Sequence, residues 1–168
     1  LPVIFYFTWK AFVPGEMSIL KYIGFYSGGL FIWSLTEYVM HRFVFHFTPH
    51  GKLMERIHFI FHGVHHDYPN DAKRLVMPPS VSIPLATGFY FLFTLFFGEF
   101  TVAAFFAGFI TGYLFYDMTH YALHHANFKS AFWKKLKKHH MTHHYAESDK
   151  GYGVSSDFWD KIFGSNYK

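Results

Sequence analysis

The sequence predicts an all-α integral membrane protein with two transmembrane helical hairpins and a histidine-rich helical cap on the cytoplasmic side. The composition is 51% hydrophobic and only 15% charged. Three windows contain no Asp, Glu, Lys or Arg: Tyr22–Thr36, Leu75–Gly98 and Phe100–Tyr116. A membrane-spanning helix needs about 20 mostly apolar residues. The second window reaches that length and the other two come close, and three such windows in 168 residues favour membrane spans over the buried helices of a soluble protein.

Turn residues between the apolar stretches place the two hairpins. The first hairpin covers about 1–45 and turns near Pro14-Gly15, and the second covers about 81–123 and turns at Gly98-Glu99. The cap then comprises 46–80 and 124–168, and the whole of 1–168 is expected to form a single domain.

The amino-terminal segment Leu1–Phe12 is apolar apart from Lys10 and begins without Met. It has neither the basic n-region nor the small-residue cleavage site of a signal peptide. We therefore expect the trimmed end of a spanning helix here rather than a signal peptide.

The distribution of charge indicates which side of the membrane the cap faces. Of the 15 Lys and Arg residues, 13 lie at or after Arg42, in the segments that carry the histidines. Glu16 and Glu99 occupy the two short turns on the opposite side. Because cytoplasmic loops are enriched in Lys and Arg, the cap is expected in the cytoplasm. The net charge of +4 is therefore attributed to membrane topology and not to a nucleic-acid-binding surface.

The cap is predicted to contain two helices, an amphipathic one at Lys52–Gly63 and a basic one at Ala131–Tyr145. The four lysines of the second helix suit either an anionic membrane surface or a solvated helix face. Helix breakers occur at 68–71 and at Pro78-Pro79, and the tail 151–168 is expected to form a short cap. The absence of Cys excludes disulfides and thiolate metal ligands.

All 14 histidines lie at or after His41, and most form four groups at the cytoplasmic ends of the predicted spans. His62, His65 and His66 are spaced i, i+3 and i+4, so their rings are expected to share a helix face and converge on one point. Three more groups consist of His41 with His46, of His120 and His124 with His125 beside them, and of His139, His140, His143 and His144, of which the last three repeat the i, i+3, i+4 pattern. His41 and His46 are five residues apart, and they can meet at one metal only if the helix ends or contains a π-type bulge between them.

Imidazole nitrogens at such spacing are typical of metal sites, although a solvated histidine-rich turn is the simpler alternative for any one group. Ten nitrogens exceed the four to six positions of one ion, so two metals are implied. Nitrogen ligands suit Fe, Zn, Cu or Ni alike. Spacing also allows His139 to act with His143. The nearby carboxylates Glu37, Asp67 and Asp117 would either orient imidazoles or simply lie at helix ends.

Several stretches resemble those of the membrane fatty acid 2-hydroxylases. The resemblance covers roughly Trp33–Ser165 in order and spacing. The histidine pattern is shared by the wider fatty acid hydroxylase superfamily, in which each histidine group is called a histidine box. The stretches between the histidine boxes narrow the resemblance to the 2-hydroxylases. The stretches are Glu37-Tyr38-x-x-His41-Arg42-Phe43-x-Phe45-His46, His62-Gly63-x-His65-His66, Arg74-Leu75-Val76-x-Pro78-Pro79, Gly112-Tyr113-x-x-Tyr116-Asp117-x-Thr119-His120-Tyr121-x-Leu123-His124, His140-x-x-His143-His144, Gly151-Tyr152-Gly153-Val154-Ser155 and Trp159-Asp160-x-x-Phe163-Gly164.

The resemblance implies a dinuclear metal centre that activates dioxygen and hydroxylates the C2 carbon of long-chain fatty acids or of sphingolipid acyl chains. Tyr116 and Asp117 would be the catalytic residues that shape the site, and iron is expected for activity, with zinc possible in a structure. His50, His58, His125 and His139 would be supporting or structural. The implied metal ligands are His41, His46, His62, His65, His66, His120, His124, His140, His143 and His144.

The resemblance also implies partners. The expected partners are a lipid acyl substrate, the membrane, and an electron donor such as cytochrome b5 or ferredoxin with its reductase, while no nucleic acid is expected. Several relatives carry an amino-terminal cytochrome b5 domain, which these 168 residues do not include. Either the donor is a separate protein or the chain is trimmed. The expected location is the endoplasmic reticulum or the bacterial inner membrane.

Two alternatives remain at this stage. A sterol or carotenoid hydroxylase or an acyl desaturase would share the same histidine boxes. A non-catalytic membrane protein that binds or transports metal would carry ionisable residues within its spans, and the three uncharged windows count against that alternative.

Overall fold

The computed structural model describes residues 1–75 and 77–167, and these residues form helices, turns and loops without a β-strand. Val76, in the Arg-Leu-Val-x-Pro-Pro stretch, and Lys168, at the end of the predicted tail cap, lie outside them. The α-helices are α1 (Pro2–Phe12), α2 (Ile19–Val39), α3 (Lys52–His58), α4 (Val64–Asp67), α5 (Ala72–Leu75), α6 (Pro79–Thr94), α7 (Glu99–His125), α8 (Ala131–Tyr145) and α9 (Phe158–Ile162), with π-helices at Met40–Phe45 and Phe59–Gly63.

The all-α prediction is confirmed, and the helices α1 and α2, like α6 and α7, are separated at the two predicted turn positions. The basic helix has the predicted bounds. Two segments, Ala72–Thr94 and Glu99–His125, are long and apolar enough to cross a membrane. α1 has only 11 residues, fewer than a span needs. The number of hairpins and the cytoplasmic position of the cap therefore stay predictions.

The chain divides into two compact units, and the single-domain prediction is not tested by this division. The first unit comprises Leu1–Ser34 and Pro78–Phe115, and the second comprises Leu35–Met77 and Tyr116–Lys168. One boundary between the units falls inside α2 and another falls inside α7. Each of these two long helices therefore contributes residues to both units.

Aromatic rings fill the core of the first unit. Phe7 of α1 contacts Phe106 of α7 and Tyr90 of α6, with ring centroids 5.0 and 5.2 Å apart. Phe93 and Phe109 lie edge to face at 5.0 Å. Such edge-to-face pairs add to the stability gained from burial alone, so the abundant phenylalanine ties α1, α6 and α7 together.

Small residues let α2 and α7 approach closely within this unit. A Cβ added at Gly108 would collide with the carbonyl oxygen of Tyr26, and one added at Gly29 would collide with that of Phe105. The Tyr26 hydroxyl donates to the Thr111 hydroxyl at 2.9 Å. Close backbone contact and interhelical hydrogen bonds are the usual ways in which helices associate in membranes.

The outer surface of the first unit is apolar. Only 6% of the apolar window within Ala72–Thr94 is buried, and the side chains of Phe91, Leu95 and Phe96 are exposed. Large exposed apolar surfaces on a protein mark contact with a membrane or with another protein.

The second unit contains both π-helices, α8, α9 and the tail. Leu123, Leu136 and Val154 form a small buried cluster in it, against which Tyr116 and Trp133 pack. Most of the other buried side chains of this unit are polar, and many are histidines.

Candidate metal centre

Four segments of the second unit supply buried and partly buried histidines. They are the first π-helix with the residue after it, the end of the second π-helix with α4, the last turns of α7, and α8. The structure brings ten of these side chains into two groups of five, and within each group one nitrogen per ring lies within 4.8 Å of the others. The first histidine group is His41, His46, His62, His66 and His143, and the second histidine group is His65, His120, His124, His140 and His144.

The first group is arranged around the ring of His62. Its Nε2 atom lies 3.2 Å from that of His41, 3.1 Å from that of His46 and 2.9 Å from that of His66. The Nε2 atoms of His143 and His46 are 3.0 Å apart. Five imidazoles from three segments of the chain therefore point their Nε2 atoms at one small volume.

The predicted π-type bulge is what brings His41 and His46 together. The segment Met40–Phe45 is a π-helix, and the amide of His46 donates to the carbonyl of His41 at 3.2 Å, an i to i+5 bond. This wider turn places residues five apart on the same side, which a regular helix does not. The prediction is confirmed.

The second group is equally compact. The Nε2 atoms of His120 and His65 lie 3.0 Å apart, and those of His124 and His140 lie 2.8 Å apart. The ring of His144 is 4.6 Å from that of His65 and stacks on that of His66 at 4.3 Å between centroids. Because His66 belongs to the first group, the two groups adjoin.

The expectation that His62, His65 and His66 converge on one point is wrong. His62 and His66 belong to the first group and His65 to the second. On a helix, positions i+3 and i+4 are about 100° apart on either side of position i, so two such rings face different points. The same division separates His143 from His140 and His144. Each of these boxes therefore serves both groups.

The nitrogen positions fit shared metal ions. Nitrogen ligands about 2.1 Å from an ion and about 90° apart lie about 3.0 Å from each other. The observed contacts range from 2.8 to 3.2 Å. Hydrogen bonds alone do not account for His62, because a neutral imidazole has one N–H while its Nε2 has three ring nitrogens within 3.2 Å. The two groups could each hold a metal ion.

Burial keeps the rings in the form that binds metal. Burial, with further repulsion from neighbouring histidines, lowers the pKa of His65 and of His66 to about 3. Burial also lowers the pKa of His140 well below its ordinary value. Neutral imidazole, with a free lone pair, is the ligand form of histidine, so these rings are ready to bind metal at neutral pH.

Two rings of the first group are oriented by backbone carbonyls. The Nδ1–H of His41 donates to the carbonyl of Tyr152, and that of His143 donates to the carbonyl of Lys150 at 2.6 Å. Each bond fixes the proton on Nδ1, so the lone pair of Nε2 faces the group. Metal-binding histidines commonly have such a partner.

Glu37 contacts the backbone of a loop, and not an imidazole as one of the sequence predictions would have required. Its carboxylate accepts hydrogen bonds from the amides of Val154 and Ser155 at 2.8 and 2.7 Å and from the Ser155 hydroxyl at 2.7 Å. The fully buried Asp160 accepts from the amides of Tyr152 and Gly153 at 2.9 and 2.8 Å. Two buried carboxylates thus hold the loop that supplies the carbonyls.

The remaining predicted residues lie in the same unit. The rings of Tyr116 and His120 are 5.6 Å apart, and Asp117 is half-buried one residue further along α7. Their catalytic role stays a prediction. The Nε2 atom of His139 lies 3.2 Å from Oδ2 of Asp160, and His139 belongs to neither histidine group. His125 is exposed although it follows His124 directly.

The sequence did not indicate the carbonyl partners at Lys150 and Tyr152, because backbone atoms carry no residue-type signal. Asp160 was visible only as part of the Trp-Asp stretch, without a role. The structure assigns it the contacts described above.

These features define the class of protein: an all-helical membrane protein with a histidine site that could hold metal ions. The chain belongs to the fatty acid hydroxylase family, since the model of that family, described as fatty acid hydroxylase, matches residues 26–165. This is a family of metal-dependent hydroxylases.

Among the proteins to which the chain is similar are two curated hydroxylases and one solved structure. The ceramide very long chain fatty acid hydroxylase scs7 of Schizosaccharomyces pombe is 45% identical over 85% of this chain and 42% of its own length. The dihydroceramide fatty acyl 2-hydroxylase FAH2 of Arabidopsis thaliana is 42% identical over 82% of this chain and 58% of its own. The structure of full-length scs7p, with only the hydroxylase domain visible, has a TM-score of 0.94 at 39% identity, covering 99% of this chain and 63% of that one. The chain spans about half the length of the curated relatives it matches.

Proposed function

We propose that the chain is a membrane oxygenase that hydroxylates the C2 carbon of long-chain fatty acids or of sphingolipid acyl chains. The observation that carries this proposal is the pair of adjoining groups of five histidines. The names of the relatives support the substrate class, since they describe a ceramide very long chain fatty acid hydroxylase and a dihydroceramide fatty acyl 2-hydroxylase.

In this proposal the ten histidines of the two groups are the ligands of two metal ions. The metals, iron for activity, would supply the activation of dioxygen when bound. Zinc suits the same nitrogen ligands. The protein's part is to keep the imidazoles neutral by burial, to hold their Nε2 atoms about 3 Å apart, and to exclude water from them.

Tyr116 and Asp117 are proposed to lie at the reaction site beside the second histidine group, where the head-proximal carbon of the lipid would react. Tyr116 is adjacent to the ring of His120 and packs on the small apolar cluster of this unit. An acyl chain entering from the bilayer would bring an apolar tail, so the exposed apolar surface of the first unit is in keeping with a lipid substrate.

We further propose that the histidine groups face the cytoplasm, in the endoplasmic reticulum or the bacterial inner membrane, and that a cytochrome b5 or a ferredoxin with its reductase supplies electrons. The excess of Lys and Arg after Arg42 supports the cytoplasmic side.

The test compares lipids from cells with and without the chain by mass spectrometry. A 2-hydroxylated acyl chain is expected only with the chain. It should disappear in a His143→Ala variant, because that change removes one Nε2 of the first group and its carbonyl anchor. The exposed His125→Ala variant is the matched control and should retain product. Full activity of His143→Ala would remove this ring from the ligand set.

The same measurement separates the sibling reactions. A desaturated product, lighter by two hydrogens, or a hydroxylated sterol or carotenoid would replace the proposed reaction with another of the same superfamily. Purified chain that binds metal while no lipid changes would indicate a non-catalytic metal-binding protein.

A further inference from the structure

We propose that Glu37 and Asp160 are positioning residues that make the first histidine group the tighter of the two metal sites. The inference rests on the metal-ligand role given to the histidines under the proposed function. It concerns how the chain prepares each group for its ion, and neither carboxylate touches the metal or the lipid.

The first step is the orientation of His41 and His143. Their Nδ1–H groups donate to the carbonyls of Tyr152 and Lys150. A ring held in this way presents its Nε2 lone pair to the metal in a fixed direction before the ion arrives. Fixing the tautomer and the ring plane in advance raises the affinity for the metal.

The second step is the position of the loop that carries the Tyr152 carbonyl, because both carboxylates accept hydrogen bonds from its amides. Asp160 is fully buried and accepts hydrogen bonds from the amides of Tyr152 and Gly153 and from the hydroxyl of Ser165. Glu37 accepts hydrogen bonds from the amides of Val154 and Ser155, which follow Gly153 in the loop. Four successive amides, from Tyr152 to Ser155, are thus held by two acidic side chains.

Gly153 makes this contact possible. A Cβ at this position would collide with the carbonyl oxygen of Ser156 and would lie 2.8 Å from Oδ2 of Asp160. The absence of a side chain lets the carboxylate reach the backbone.

The second histidine group has no comparable anchors in the described part of the chain. The Nδ1 atoms of all five of its rings are buried without a hydrogen-bond partner among the described residues, namely those of His65, His120, His124, His140 and His144. A ring whose second nitrogen is unanchored can turn more freely, and a buried N–H without an acceptor is unfavourable. The second site should therefore bind its metal more weakly.

The experiment measures the affinity of the purified full chain for Zn²⁺ in detergent, without lipid, by competition with a chelator. The wild type is expected to bind two Zn²⁺ in two separable steps. A double variant, His124→Ala with His144→Ala, leaves the first group as the site measured. Another double variant, His46→Ala with His66→Ala, leaves the second group.

Asp160→Asn is then added to each background. An amide replaces one acceptor oxygen with a donor, so it cannot accept from both backbone amides. The dissociation constant for Zn²⁺ should rise about 10–100-fold where the first group remains, and it should stay unchanged where the second group remains. Asp157→Asn is the matched control at the residue just before α9, since Asp157 pairs with Lys161 and Lys135, and it should change neither constant.

An equal loss in both backgrounds, or no loss in either, would overturn the inference. Circular dichroism shows whether each variant folds. If Asp160→Asn does not fold, Glu37→Gln is measured in the same backgrounds, with the exposed Glu55→Gln as its control, and it decides between the same outcomes.

The result is distinguishable from the fate of the proposed function. The expected Zn²⁺ affinities without any 2-hydroxylated lipid would support the positioning role and refute the reaction. If 2-hydroxylated lipid forms while neither carboxylate variant changes the affinity for Zn²⁺, the proposed reaction would be supported and the positioning role refuted.

Discussion

Side chains that bind a metal and side chains that only line its pocket respond differently to substitution. We expect Tyr116→Phe and Asp117→Asn to retain two metals per chain while lowering the amount of 2-hydroxylated product about 10–100-fold, the range typical for groups just outside the ligand set. Metal content of the purified variants and lipid mass spectrometry are measured together. Met118→Leu, at an exposed neighbouring position, is the control.

Two results would contradict this assignment. Loss of a metal in Asp117→Asn would show that the carboxylate supports a ligand and does not act on the substrate. Unchanged product in both variants would remove Tyr116 and Asp117 from the site.

At the level of single residues, ligand-type side chains at ligand spacing were predictable and their anchors were not. The ten histidines that the structure gathers are the ten that the sequence indicated, because imidazole is recognisable in a sequence wherever it lies. The carbonyls of Lys150 and Tyr152 come from a loop about a hundred residues from His41, and only the folded chain shows which carbonyl meets which ring. The sequence shows Glu37 as a carboxylate near the histidines, yet the groups it binds are backbone amides and a hydroxyl.

Among the helices, the first π-helix was predictable from geometry alone, because residues five apart had to meet. The second π-helix, Phe59–Gly63, was not predicted. Nothing in its apolar sequence distinguishes a π-turn from an α-turn, and it is seen only once the position of His62 is known. The split of each His-x-x-His-His box between two groups likewise depends on where neighbouring helices lie.

The contact between α2 and α7 gives a prediction for the first unit. Gly108→Ala should destabilise the protein by about 1–3 kcal/mol, the usual cost of adding a methyl group to a filled contact, since its Cβ would meet the Tyr26 carbonyl. Gly88→Ala on α6 is the matched control, because a Cβ there has nothing within 4 Å. Thermal unfolding in detergent compares the two. Equal stability of both variants would mean that α2 and α7 do not approach closely at Gly108.

For the molecule as a whole, metal ions bound at the two histidine groups would couple metal binding to folding of the second unit. The Nε2 atom of His144, in the second group, is buried without a hydrogen-bond partner among the described residues, which costs about 1–3 kcal/mol. Bound metal would recover that cost for the nitrogens it reaches, and binding energy of this kind becomes folding energy. The core of the first unit, by contrast, consists of apolar and mainly aromatic side chains.

The cap is expected on the cytoplasmic side of the membrane, and labelling of introduced cysteines can test this position. The 168 residues contain no cysteine, so a single introduced cysteine is the one thiol in these residues that a maleimide can label. Ser18→Cys lies in the exposed turn before α2, and Ser130→Cys lies at the exposed start of α8. Because 13 of the 15 basic residues follow Arg42, Ser130 should be cytoplasmic and Ser18 should be on the opposite side.

In intact bacterial cells, a membrane-impermeant maleimide should therefore label Ser18→Cys and not Ser130→Cys, and permeabilised cells should show labelling of both. The permeabilised sample is the control for thiol reactivity, since both positions are exposed. The reverse pattern would place the histidine groups on the outer side, where neither proposed electron donor is available. Labelling of both positions in intact cells, or of neither, would contradict opposite placement of the two positions and with it the hairpin topology.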